Sequence, residues 1–222
     1  MSFVIKICGL TSPDDVKAAV GAGATAIGIN LWRGSKRFAG SQASRVAAAV
    51  PANVWRVGVF VNATADEVVR QARALDLTHV QLHGDEAPRD FAGLGWPIVR
   101  AVRVKDVTSL AELALWPAAT LLLDAYAEGY GGAGAVAPWE VIAAGVPRER
   151  PFLLAGGLTA ENVAAAIART RPAGVDVASG VESAPGTKSP AKMEAFVRAA
   201  TEAARALSAP GGVTRRPSVR VP

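Results

Sequence analysis

Apolar, strand-like runs alternating with helical patterns along nearly the whole chain predict an α/β fold, a single-domain (β/α)8 TIM barrel. Three observations carry the expectation. Eight such runs recur at intervals of about 20 to 30 residues, the rhythm of a parallel sheet built from β-α units. Eight units within residues 1–207 favour a closed ring over an open doubly wound sheet, and the turn Cys8-Gly9-Leu10-Thr11 after the first strand lacks the G-x-G-x-x-G of a dinucleotide-binding sheet. Polar residues also recur in one phase at the C-terminal ends of the runs, where barrels of this kind collect their chemistry.

The first strand, 3–8, sets the pattern. Side chains alternate along a strand, so Ile5 and Ile7 share one face while Val4, Lys6 and Cys8 share the other. The apolar face requires a cover of helices; the other carries a lysine and then the only cysteine of the chain, followed by a glycine that permits a sharp exit. Ser12 and Pro13 then read as N-cap and first-turn proline of a helix running through Val16 and Val20 to Gly21 and Gly23. The remaining strands are expected over 25–31, 55–61, 78–82, 98–102, 120–124, 151–155 and 174–178. A helix is expected after each, beginning near Ser41, Thr64, Pro88, Val107, Pro138 and Thr159, with a last one over 190–207. From Ser208 onward the chain lacks periodicity and reads as a flexible, basic C-terminal tail over 208–222.

Bulk properties narrow the function classes. At 222 residues, 50% of them apolar, the chain can bury one core. No uncharged apolar run reaches the roughly 18 residues of a membrane span, and the N-terminus lacks a signal-like pattern, so a cytoplasmic protein with no membrane association is expected. One cysteine makes no internal disulfide. Of the formal charge of +5, three units come from Arg215, Arg216 and Arg220 in the tail, which leaves no basic, aromatic-studded surface for nucleic acid. A modest anionic substrate fits the charge. Oligomeric state leaves no signal.

The inward phase holds the candidate site. Ala26, Gly28 and Asn30 alternate with Ile27, Ile29 and Leu31; Gln81 and His83 alternate with Val80 and Leu82; Asp124 ends Leu121-Leu122-Leu123; Asp176 lies between Val175 and Val177. Taken singly, Gln81 or Asp176 serves equally well to satisfy backbone groups inside a barrel. Two glycine-bearing turns, Ala155-Gly156-Gly157-Leu158 and Ala178-Ser179-Gly180-Val181, follow the seventh and eighth strands. Glycine there lets backbone N–H groups approach an anion, at the position where such barrels commonly bind phosphate. Arg33-Gly34-Ser35-Lys36-Arg37, after the second strand, can clamp a carboxylate. Gly129 to Gly134 form a long glycine-rich stretch after Asp124, fit to close over a site or merely to connect.

These residues resemble the phosphoribosylanthranilate isomerase family. The resemblance rests on KICGLT at 6–11, SKR at 35–37, VGVFVN at 57–62, VQLHGDE at 80–86, LLLDA at 121–125 with the later GGAG, LLAGGLTAENV at 153–163 and GVDVASGVESAPGTK at 174–188. It implies a (β/α)8 barrel and an Amadori rearrangement of N-(5-phosphoribosyl)anthranilate, with no cofactor and no metal. By the same resemblance Cys8 is the general base, Asp124 the general acid, and Arg37 the partner of the anthranilate carboxylate. Gly156, Gly157, Ser179 and Gly180 would hold the phosphate, while Lys6, Gln81, His83 and Asp176 support the site. Two departures stand out: Lys36 where many members have proline, and Ala133-Gly134-Ala135 where a Thr-Gly-Lys or similar run is common.

The chemistry suits those groups. Opening a furanose ring needs a proton on the ring oxygen, and Asp124 would supply it. The C2 proton must then leave, and a thiolate at Cys8 can take it. Free cysteine titrates near about 8.5, so a neighbouring cation such as Lys6 would help ionise it. A buried free cysteine is otherwise commonly just a small hydrophobe. Two alternatives remain at this level: the related histidine-pathway sugar-phosphate isomerase, whose first strand ends in aspartate rather than cysteine, and a non-catalytic barrel that binds phosphorylated ligands.

Overall fold

A computed structural model describes residues 3–126 and 136–208. The stretch 129–134, the departure at 133–135 and nearly all of the expected tail lie outside the described residues. Eight strands form the closed barrel: β1 (Val4–Cys8), β2 (Ala26–Asn30), β3 (Trp55–Phe60), β4 (His79–Leu82), β5 (Ile98–Val104), β6 (Thr120–Ala125), β7 (Phe152–Leu154) and β8 (Gly174–Val177). Every neighbouring pair is parallel, and β1 closes the ring on β8 with Lys6 opposite Asp176.

The alternation read from the sequence is what divides the core. Ile5, Ile7, Ile27, Ile29, Val80, Leu82, Leu121, Leu123, Val175 and Val177 face outward into one continuous apolar shell with the helices. Val99, Ala101, Leu122, Leu153 and Ala155 fill a smaller cluster inside the ring, against which Val4 packs. Fully burying each large aliphatic side chain contributes about 1.5–3 kcal/mol, so the outer shell dominates stability and the inner one leaves room for polar groups.

Helices α1 (Pro13–Ala22), α2 (Ala43–Ala48), α3 (Ala65–Ala74), α4 (Trp139–Gly145), α5 (Val163–Thr170) and α6 (Pro190–Ser208) cover most of the barrel. Ser12 accepts the Asp15 N–H and Pro13 opens the first turn, while Thr64 caps α3 by accepting from Glu67. Two expected helices are not α-helical. After β4 only a 3₁₀ turn forms, Pro88–Phe91, because Gly93 and Gly95 follow with φ of 77° and 86° and end any winding. After β5 the segment Val107–Leu115 is a 3₁₀ helix. Its buried residues Leu110 and Leu113, with Trp116 beyond, fall every third position, the period of that helix. After β8 the chain makes a short 3₁₀ turn, Ser179–Val181, and then an antiparallel hairpin, β9 (Glu182–Ala184) with β10 (Thr187–Lys188), before α6 begins. No helix among the described residues is long and apolar enough to cross a membrane.

Candidate active site

The C-terminal ends of the strands surround a cavity of about 620 Å³. Cys8, Arg37, Gln81, His83, Asp124, Gly156, Gly157, Asp176 and Ser179 all line it, although they come from six strands and their following loops. Residues from β1 and β6 thus share one opening, as alternation had suggested.

Cys8 ends β1 in the inward phase, and the inward space it needs exists because its neighbour on β2 is Gly28. A Cβ there would stand 2.7 Å from the Cys8 sulfur and 3.0 Å from Lys6 Nζ. Lys6 lies one inward step below, wholly buried, with its ammonium 2.9 Å from Asp176 Oδ1 across the closing seam. Burial pulls the lysine's pKa down, but Asp176 and Cys8 outweigh it and the net direction is up, so Lys6 stays charged. Lys6 was expected to help ionise the Cys8 thiol, and burial outweighs that help. Its ammonium does act in that direction, yet burial pushes the thiol up by more, Asp176 adds to it, and the net shift is upward.

Asp124 is the penultimate residue of β6, with its Oδ1 accepting the Ala125 N–H at 2.8 Å and Oδ2 3.3 Å from His83 Nε2. His83 Nδ1 in turn meets Gln81 Nε2 at 2.9 Å, and Gln81 is 1% exposed.

Arg37 lines the cavity with its guanidinium already engaged: Nη2 donates to Glu182 Oε2 at 2.9 Å and Nε to Oε1 at 2.5 Å. Lys188 Nζ reaches the same Glu182 at 2.9 Å and donates to the Ala178 carbonyl at 2.8 Å. Burial opposes the charge on Glu182, but Arg37 and Lys188 prevail and hold its carboxyl below the usual range. Burial sets the direction at Lys188, whose pKa is lowered despite Glu182. A two-pronged pair of this kind fixes the plane of an arginine and leaves Nη1 for a second anion. Glu182 and Lys188 were missed by sequence reasoning; they lie inside the GVDVASGVESAPGTK stretch, but nothing local ties Glu182 to a loop 145 residues earlier.

The two glycine turns meet beside the cavity. Gly156 and Gly157 both have positive φ, 87° and 61°, and turn backbone toward the opening as an anion-binding concavity does. Asn162, another residue the sequence did not single out for this, braces the turn: it accepts the Thr159 N–H at 2.8 Å and donates to the Gly157 carbonyl at 2.9 Å. Ser179 lines the cavity, whereas Gly180 is not among its lining residues. A Cβ on Gly180 would lie 1.9 Å from the Leu158 carbonyl oxygen, so this glycine lets the second turn press against the first. Among the described residues, no group of three or more His, Cys, Asp or Glu side chains is placed to hold a metal ion.

Residues 5–199 match the family model described as N-(5'phosphoribosyl)anthranilate (PRA) isomerase. The N-(5'-phosphoribosyl)anthranilate isomerase of Chromohalobacter salexigens is 51% identical over 197 residues, covering 87% of this chain and 92% of that relative. Among solved structures, phosphoribosyl anthranilate isomerase from Thermotoga maritima is 34% identical with a TM-score of 0.84, over 90% of this chain and 99% of that one. A complex of phosphoribosyl anthranilate isomerase with reduced 1-(o-carboxyphenylamino)-1-deoxyribulose 5-phosphate superposes with a TM-score of 0.81 at 32% identity, over the same shares of the two chains.

Proposed function

The chain belongs to the N-(5'-phosphoribosyl)anthranilate isomerase family, and on that premise we propose that Cys8 and Asp124 are the base and acid with which it carries out the family's Amadori rearrangement. It is an aldose-ketose isomerase of tryptophan biosynthesis, turning N-(5-phosphoribosyl)anthranilate into 1-(2-carboxyphenylamino)-1-deoxyribulose 5-phosphate.

The reaction divides into two proton transfers. Asp124 gives its proton to the ring oxygen as the C1–O bond breaks, and the anilino nitrogen supplies the electron pair that makes the C1=N iminium. The thiolate of Cys8 takes the C2 proton, and the C–H electrons become the C1=C2 bond of an enolamine. That enolamine tautomerises to the ketone by losing the O2 proton and gaining one at C1. The supporting observation is that a thiol on β1 and a carboxyl on β6 line one cavity, with room for a substrate between them. The Gly156-Gly157 turn with Ser179 takes the phosphate; Gly180 serves by letting those turns approach. Arg37, oriented by Glu182, takes the anthranilate carboxylate. Lys6 and Asp176 form the buried floor beneath the thiol. We place the enzyme in the cytoplasm, where its phosphorylated substrate would be made.

The test is the decay of anthranilate fluorescence when freshly made substrate meets purified protein. Cys8→Ser and Asp124→Asn are each expected to lower kcat by at least about 10²- to 10⁴-fold, the usual worth of a positioned acid or base, with the fold retained. Near wild-type turnover in either variant would strip that residue of its role. Binding of the reduced product analogue by the wild type without any turnover would instead mark a non-catalytic barrel.

A further inference from the structure

The carboxyl of Asp124 is held at one oxygen and approached at the other by a histidine that the two proton transfers do not use. Oδ1 accepts the Ala125 N–H, which makes Oδ2 the oxygen free to carry and deliver a proton. His83 Nε2 stands 3.3 Å from that same Oδ2, in a contact that falls short of a full hydrogen bond. On the other side of the ring, the Gln81 amide nitrogen lies 2.9 Å from Nδ1. With its amide nitrogen toward the ring Gln81 donates and its Oε1 has no hydrogen-bond partner among the described residues; in that orientation Nδ1 accepts and the ring proton sits on Nε2, facing Asp124.

The backbone around this histidine is also fixed. Gly84 N–H donates to Glu86 Oε2 at 2.8 Å, and the Gly84 carbonyl accepts from Arg100 Nη2 at 3.0 Å. Arg100 is ion-paired with Glu86 at 2.7 Å and Glu112 at 2.6 Å, and is almost wholly buried. Such bracing gives the imidazole little freedom to do anything except face the acid.

We propose that His83 is a positioning residue for the acid: its Nε2–H holds Oδ2 toward the cavity and tightens on that oxygen as the proton leaves. A donor facing a neutral carboxyl makes a weak bond, and the same donor facing the carboxylate makes a charge-assisted one. The contact therefore strengthens along the reaction, and an interaction stronger in the transition state than in the ground state raises kcat rather than substrate affinity. Gln81 fixes the tautomer. His83 itself ends each turnover with the proton it began with.

The inference rests on the assignment of Asp124 as the acid, and a double-mutant cycle read by fluorescence decay separates the two. His83→Leu is expected to lower kcat about 10- to 100-fold with KM changed less than about threefold. His83→Gln, whose amide nitrogen reaches the position of Nε2, is expected to stay within about fivefold of wild type. In an Asp124→Asn background, His83→Leu is expected to cost no more than about twofold further. The proposal is overturned if His83→Leu keeps wild-type kcat, loses activity through KM, is matched in its loss by His83→Gln, or adds its full effect to Asp124→Asn. Should Asp124→Asn itself keep its turnover, the assignment of the acid fails first. If His83→Leu does not fold by circular dichroism, Gln81→Leu replaces it, with a smaller loss of about 3- to 10-fold in kcat alone; an unchanged kcat there overturns the proposal equally.

Discussion

Cys8 is the only thiol of the chain, so its ionisation can be read without ambiguity. Burial raises its pKa above the ordinary thiol range and Lys6 only partly offsets this. Since only the thiolate is alkylated, the reaction with iodoacetamide should stay slow at neutral pH and climb about tenfold per pH unit, with its midpoint above about 8.5. A midpoint below that value would mean the cation prevails over desolvation. Cys8 and Asp124 stood out because strand alternation puts both in the inward phase at or beside the strand ends, whereas the roles proposed for them came from the family resemblance. Glu182 was not, because what makes it matter is Arg37, brought to it only by closure of the ring. Nor was the sign of the shift at Cys8: a lysine two residues away is visible in the chain, while the low dielectric around both is not.

At the scale of elements, the turns proposed to hold the phosphate depend on how closely the loops after β7 and β8 approach. Gly180→Ala would drive a methyl carbon into the Leu158 carbonyl, and the backbone must give. That variant should raise KM at least about tenfold and lower stability by about 1–3 kcal/mol, as overpacking does, measured by steady-state kinetics and urea unfolding. An unchanged KM would free the second turn from phosphate binding. Strands were read closely from the sequence because apolar runs bounded by turn residues are distinctive. The two helices expected after β4 and β5 failed for separate reasons. Pro88 looked like a helix start, but the glycines at 93 and 95 stop the winding within a turn. The segment from Val107 buries every third residue, a spacing easily mistaken for one face of an α-helix.

For the molecule as a whole, ring closure brings β1 against β8, and the Lys6–Asp176 pair lies in that seam. Asp176→Leu leaves a wholly buried ammonium unpaired and should cost about 3–5 kcal/mol in urea unfolding. Lys6→Met with Asp176→Leu should recover most of that loss, since a buried ion pair replaced by apolar groups is often close to neutral. Equal destabilisation of the single and double variants would show that the seam depends on the inner packing instead. The barrel itself was legible from its period, and its functional rim from the polar residues at the strand ends. The ion pair across the closing seam, between residues 170 apart in the chain, was visible only as two inward polar residues that nothing local joined to each other. The central geometry, a thiol and a carboxyl on opposite sides of one bound sugar, is tested most directly by a crystal structure of this chain with the reduced product analogue. The expected result has the Cys8 sulfur beside the sugar C2 within about 4 Å and Asp124 Oδ2 within about 2.6–3.2 Å of the former ring oxygen, with phosphate on the Gly156-Gly157 turn. A ligand that seats its phosphate elsewhere, or leaves the sulfur out of reach of C2, would contradict it.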